Sequence, residues 1–157
     1  MQAPDLLEPL IGFRWWHREA SERLISPLRL CEWIPGTNEA KCRPAAHEQV
    51  TSHSAPHPDC HCGIYAYHCF SDLQTELDYH FPHAIPGVIA LWGIVQAYAG
   101  GLRGQYAQLL AVGKAQDQSS MQAITDYYQV PLLDHSELAK TEVPTQWQIY
   151  ASSNSAP

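Results

Sequence analysis

The sequence predicts an α+β fold, in which a mainly antiparallel, strongly twisted sheet or partly open barrel carries two or three short helices and a metal-pinned long loop. The 157 residues include twelve prolines, nine glycines and only 16% charged residues, which indicates many turns rather than a helical bundle or a disordered chain. Apolar stretches typical of strands are more numerous than stretches with helical spacing. Seven of the nine histidines and three of the five cysteines lie within residues 47–83.

The N-terminal region predicts a β-hairpin. Residues 12–18 are rich in aromatic side chains, and residues 23–31 form a second strand-like stretch after a polar link. Pro27 cannot donate to a sheet, so it places part of the second strand at an edge or a bulge. Residues 33–36 read Trp-Ile-Pro-Gly and predict a turn.

The side chains of this hairpin allow two interpretations. Four tryptophans are candidates to line a ligand or peptide groove, although tryptophan is more often a core residue. Neighbours on a strand face opposite sides, so Trp15 and Trp16 cannot both point into one core. The arginines of the hairpin are expected on a solvated strand face, paired with nearby glutamates. The tryptophans are Trp15, Trp16, Trp33 and Trp92, and the arginines are Arg14, Arg18, Arg23 and Arg29.

A long loop and a strand follow. Residues 38–59 contain three prolines and three histidines and have neither strand nor helix periodicity, so they are predicted to be a loop. A loop of this length in a compact domain usually has a functional or covalent reason to be ordered. Residues 63–70 predict a strand, and Ser71 is expected to begin a helix with Gln74 at the capping-box position, ending before Pro82.

The middle of the chain predicts a second hairpin. Residues 88–98 are apolar on both alternating faces, as in a central strand, and the return strand covers about residues 102–112. Gly100 and Gly101 can supply the positive φ values of a tight hairpin turn. Residues 79–102 lack charged side chains, but proline, glycine and glutamine leave an apolar run too short for a membrane span.

The C-terminal third predicts short elements. Ser119 or Ser120 can cap a helix whose Met121, Ile124 and Tyr128 share one face. Pro131 ends this helix, residues 130–133 are expected to be extended, and residues 136–140 to form a short helix. The domain prediction is one α+β domain over residues 1–151, with a zinc-binding loop at about 38–63 and a flexible tail over 152–157.

Charge and cysteine content limit the possible functions. The net charge is −7 and six of the nine Lys and Arg residues precede residue 44, so a broad nucleic-acid groove is unexpected. Residues 1–8 contain two acids and no basic start, so a secretory signal is not predicted and the expected location is cytoplasmic. Five cysteines in such a protein are expected to be thiols or metal ligands rather than disulfide partners.

The strongest local signal is a cysteine and histidine cluster that predicts a zinc site. Structural zinc takes four donors in a tetrahedron, commonly cysteine thiolates with a histidine. Cys60 and Cys62 can face one metal ion if the backbone between them turns, and Gly63 gives the chain freedom to leave that turn. Cys42 and one of His53 or His57 would complete a Cys3His set. Two alternatives are buried cysteines without a role and a redox-active thiol pair.

The sequence also resembles an uncharacterised family of small bacterial proteins with a C-x-C-G-I-Y-A motif. The resemblance covers residues 12–131 and implies that four residues belong together as one site. It names no reaction. Its motifs are Gly12–Trp16, Trp33–Gly36, Ala40–Cys42, His53–Pro56, Cys60–Ala66, Ala90–Val95 and Gly101–Arg103, and the implied set is Cys42, His53, Cys60 and Cys62.

The function expected from these observations is that of a small zinc-stabilised binding or accessory protein that docks a partner protein, with the aromatic hairpin as the docking element. The alternative is a metal-dependent or thiol-based enzyme centred on the same cluster. A nucleobase deaminase is disfavoured because its H-x-E and P-C-x-x-C spacings are not matched. A GIY-YIG nuclease is disfavoured because the second half of its signature is missing.

Overall fold

The structure, a computed structural model, describes residues 9–18, 22–27, 31–42, 53–115 and 121–141. Within this part of the chain, seven strands form one mixed sheet that is not closed, accompanied by three short helices, so the α+β prediction is confirmed. The elements are β1 Leu10–Arg18, β2 Leu24–Ile25, β3 Thr37–Glu39, β4 Ile64–Ala66, α1 Phe70–His80, β5 Ile85–Tyr98, β6 Gly101–Gly113, α2 Met121–Tyr128, β7 Leu132–Leu133 and α3 His135–Ala139.

A long antiparallel hairpin of β5 and β6 forms the centre of the sheet, as predicted, with Tyr98 opposite Gly101 at its tip. Neither Gly100 nor Gly101 has φ in the left-handed region, so the predicted reason for this glycine pair is wrong. Gly101 is required by close approach instead, because a Cβ there would collide with the carbonyl oxygen of Ala66 on β4. The turn glycine thus lets a neighbouring strand pack against the hairpin.

Three short strands share the other edge of β6. β4 pairs antiparallel with its first residues, β3 with its middle and β7 in parallel with its end. β3 corrects the prediction that the region from Asn38 onward is entirely loop. Thr37, Asn38 and Glu39 have no apolar alternation, so only the unpaired edge of β6 makes them a strand.

The N-terminal hairpin is present as β1 and β2, with His17 opposite Ile25, but β2 covers only Leu24–Ile25 of the described part of the predicted strand over residues 23–31. β1 also pairs along β5, and an isolated bridge joins Phe13 to Tyr67 just after β4. Trp15 and Trp16 point to opposite faces, and both are buried because each face of β1 is covered. Trp16 packs edge-on against Trp33, while Trp15 stacks on Phe81 after α1. These tryptophans are therefore core residues.

The arginines of the hairpin separate into two environments. Arg23 forms the expected exposed ion pair with Glu32, with 3.0 Å between Nη1 and Oε2. Arg14 contradicts the prediction of a solvated face, because only 9% of its surface is exposed. Its position under Trp33, with the guanidinium carbon 5.5 Å from the ring centroid, depends on a contact that the strand pattern does not encode.

The helices pack by their apolar faces, as predicted, but one cap differs. α1 begins at Phe70 with Cys69 as N-cap and no side-chain hydrogen bond, so the capping box of Ser71 and Gln74 is wrong. Gln74 instead donates to Asp78. α2 buries Met121, Ile124, Thr125 and Tyr128 as its apolar face. α3 begins at a capping box formed by Asp134 and Glu137.

Some predictions lie outside the part of the chain that the structure describes. These are the capping role of Ser119 or Ser120, the tail over 152–157 and the ends of the 1–151 domain. None of the helices in the described ranges is long and apolar enough to cross a bilayer.

Candidate metal centre

Pairing with β6 brings the ends of the long loop together. Glu39 of β3 lies opposite Tyr106, and Ile64 of β4 lies opposite Gly104, so the two strands meet β6 at nearby positions. Cys42 follows β3, and Cys62 precedes β4. Residues distant in the sequence thereby reach one place at the sheet edge.

Four side chains meet there with donor atoms within 4.8 Å of one another: Cys42, His53, Cys60 and Cys62. The Sγ atoms of Cys42 and Cys60 are 3.6 Å apart, and the Sγ of Cys62 is 3.4 Å from the Nε2 of His53. A tetrahedral zinc ion would place two sulfur ligands about 3.8 Å apart and a sulfur and a nitrogen ligand about 3.5 Å apart. The cluster could hold a metal ion.

The two histidines left open by the sequence have different positions. His53 Nε2 belongs to the cluster. His57 packs against His53, with ring centroids 4.5 Å apart, and its Nδ1 accepts a hydrogen bond from the backbone N–H of Asp59. His57 is thus placed to support the ring of His53 rather than to provide the fourth donor.

The other candidate donors lie apart from the cluster. His61 is exposed between the two clustered cysteines. His68 donates from Nε2 to the carbonyl of Tyr98, and the exposed Cys69 contacts the hydroxyl of Ser71. His47 lies outside the described residues. None of the described cysteines forms a disulfide bond.

Arg103 of β6 organises the loop around the cluster. Its guanidinium donates to the backbone carbonyls of Cys60, Cys62 and His57, while its Nε donates to Gln96. These bonds hold the turn that carries the two closely spaced cysteines. Sequence reasoning missed this role, although an arginine interrupting a long uncharged stretch was an available signal.

Gly63 and Tyr65 connect the loop to β4. Gly63 has φ of +129°, which agrees with the prediction that it lets the chain leave the cysteine turn. A side chain there would also crowd Pro56 and Arg103. The hydroxyl of Tyr65 donates to the carbonyl of His61 over 2.7 Å. The turn is therefore fixed on both sides.

The surroundings of Cys42 and Cys62 raise the pKa values of their thiols. Desolvation, followed by hydrogen bonding with Cys60, raises the pKa of Cys42 to about 11. Burial is also the main cause that raises the pKa of Cys62. Metal ions bind thiolates, so a metal ion would have to displace the thiol protons. With a divalent ion bound, three thiolates would leave a net negative charge, which the guanidinium of Arg103 would partly offset.

The fold and the cluster define an α+β domain with a Cys3His arrangement that could bind a metal ion. A search of protein families, curated proteins and solved structures finds no match to this chain.

Proposed function

We propose that the chain is a small cytoplasmic, zinc-stabilised binding or accessory protein of bacterial type. The observation that carries the proposal is that the donor atoms of Cys42, His53, Cys60 and Cys62 lie within 4.8 Å of one another, with two of the separations at 3.6 and 3.4 Å. Sulfur-rich sets with one imidazole favour zinc over magnesium or calcium, which prefer oxygen.

A structural role for the zinc ion is favoured over a catalytic one. Catalytic zinc keeps a coordination position for water or substrate, whereas four protein donors fill the tetrahedron. The backbone around the cluster is also held by Arg103 and Tyr65. Zinc in this place would convert binding energy into folding energy by joining the loop to the edge of β6.

Docking of a partner protein is the accessory role in this proposal. Trp15 is 7% exposed and Trp16 is fully buried, so these two side chains of the aromatic hairpin are not available as docking residues. We expect zinc to contribute to docking by holding the long loop, and the protein surface that this loop forms, in one conformation. The alternative of a metal-dependent enzyme has a clear signature, a water or other oxygen ligand on the metal.

The test is the metal content and coordination of protein purified without chelator or nickel resin. We expect about one zinc per chain, with three sulfur ligands and one nitrogen ligand by X-ray absorption. A Cys60→Ser and Cys62→Ser double variant should lose the zinc and much of its stability. Cys69→Ser is the matched control, since Cys69 is exposed and outside the cluster.

Two results would contradict the proposal. Native protein without metal, together with an equally stable double variant, would remove the zinc site. An oxygen ligand on the bound metal would favour the enzyme alternative.

A further inference from the structure

A cavity of about 510 Å³ lies away from the cysteine cluster, between β1, β4 and α1. This volume falls within the range of small-molecule sites in proteins. Aromatic side chains make up most of its wall, and one buried cation joins them. The residues on which the inference depends are Arg14, Trp15, Tyr65, Tyr67, Phe81 and Tyr98.

Arg14 lines this cavity, and several N–H donors of its guanidinium form no hydrogen bond with the described residues. Its Nη1 donates to the carbonyl of Tyr65 over 2.6 Å, and its Nη2 donates to the hydroxyl of Ser26. A guanidinium has five N–H donors, and these bonds use two of them. The Nε is buried without a hydrogen-bond partner among the described residues and has no surface open to the cavity, so the donors left for a ligand are the remaining N–H groups of Nη1 and Nη2. The group is fixed in position by Tyr65, Ser26 and the ring of Trp33 without being saturated.

The charge of Arg14 also lacks an acidic partner in the described ranges, where it forms no ion pair. Burial lowers the pKa of Arg14 to about 10, which leaves the side chain protonated at neutral pH. A buried cation without a counter-charge is costly to a fold, and such groups are usually paired. Glu76 lines the same cavity from α1, and burial together with the charge of Glu76 raises the pKa of Tyr67.

We propose that this cavity binds a small aromatic carboxylate, with the carboxylate at Arg14 and the ring among Trp15, Phe81 and the tyrosines. The planar guanidinium matches the geometry of a carboxylate. Aromatic walls favour a flat apolar body over a sugar or a flexible polar chain. The zinc proposal is not required for this inference.

The anion is expected to carry a single charge. One arginine supplies one positive charge, and two of its donors already serve the protein. A phosphate dianion would need further cations, whereas the described lining adds to Arg14 only the acidic Glu76 and the imidazole of His17 as titratable groups besides the tyrosines. A monocarboxylate therefore fits the electrostatics better than a phosphoryl group.

The first test uses wild-type protein and three probes of similar size: phenylacetate, phenylacetamide and phenethylamine. The readout is the shift of the Trp15 indole N–H signal during titration, with affinity measured by calorimetry. We expect saturable binding of phenylacetate, at least about tenfold tighter than phenylacetamide, since a charge-assisted hydrogen bond is lost in the amide. Equal binding of acid and amide, a preference for the amine, or binding of none of the probes at millimolar concentration would overturn the proposal.

Two variants place the ligand in the cavity. Arg14→Met should weaken phenylacetate binding about tenfold or more, whereas Arg23→Gln, at an exposed arginine outside the cavity, should leave it unchanged. Glu76→Gln should strengthen it a few-fold because a like charge is removed. Unchanged affinity in both Arg14→Met and Glu76→Gln would contradict the assigned site. If Arg14→Met fails to fold, the probe series and Glu76→Gln still decide.

Discussion

Arg103 at the candidate metal centre and Arg14 at the aromatic cavity have opposite relations to their surroundings. Arg103 is partly exposed, and its donors meet three loop carbonyls and Gln96. Arg14 is almost fully buried, yet its Nε has no partner in the part of the chain that the structure describes. The difference indicates that Arg103 stabilises the protein's own backbone, whereas Arg14 is held in place with N–H groups on its Nη atoms still unused, as the proposed ligand site requires.

Removing the Arg103 side chain should reduce stability and zinc affinity more than any other substitution predicted below. A small effect would contradict the contrast drawn between Arg103 and Arg14. Arg103→Met leaves the carbonyls of His57, Cys60 and Cys62 without their donor, so we expect the zinc-loaded protein to lose about 2–4 kcal/mol of unfolding free energy. Zinc affinity should fall about 10- to 100-fold because the ligands are less well oriented. Denaturant titration and chelator competition measure the two effects.

Arg103→Lys is the matched control for this variant. Lysine keeps the charge but lacks the planar fork, so it should recover only part of the stability. A loss below about 1 kcal/mol in Arg103→Met would show that the carbonyls find other partners, and Arg103 would then resemble Arg14.

The second prediction concerns the pH dependence of zinc binding at the cysteine cluster. The pKa values of Cys42 and Cys62 are raised in the metal-free protein, so their thiols hold protons at neutral pH. Because zinc binding releases these protons, affinity should rise as pH rises from 6 to 8, by about tenfold per unit for each proton released. Calorimetry in buffers of different ionisation enthalpy should detect at least about two protons released. Affinity independent of pH would contradict thiolate ligation.

Replacing Arg14 should affect stability much less than replacing Arg103. Arg14→Met removes the donor to Tyr65 and Ser26 but also removes a desolvated charge, and these effects oppose each other. We expect the free energy of unfolding without ligand to change by no more than about 1 kcal/mol. A loss as large as that of Arg103→Met would identify Arg14 as a structural residue.

The smallest predicted effect concerns Tyr65, which touches both regions. Its carbonyl accepts from Arg14, and its hydroxyl donates to the carbonyl of His61 in the cysteine turn. Tyr65→Phe removes only the hydroxyl contact, so stability should fall by about 0.5–1.5 kcal/mol, with a small loss of zinc affinity. Zinc affinity unchanged within error would show that the turn does not depend on this bond.

Local sequence patterns predicted most of the helices and strands. The elements that they mispredicted include β3 and the start of α1. The β5–β6 hairpin and the apolar face of α2 follow from periodicity in adjacent residues. The strand at residues 37–39 and the cap of α1 were mispredicted. A polar segment became a strand because β6 offered an unpaired edge, and the N-cap of α1 is Cys69, two residues before the predicted Ser71, without a side-chain hydrogen bond.

The sequence by itself determined which donor types are available for a metal ion, because Cys60, Cys62 and His53 are concentrated in a short stretch of the chain. Only the tertiary structure brings Cys42 beside Cys60 and Cys62, since β3 and β4 pair with the same edge of β6, and its geometry distinguishes His53 at the cluster from His57 beside it. It also decided the environments of the arginines. A strand pattern assigns a residue to a face, but the burial and partners of its charge depend on distant segments that pack over it.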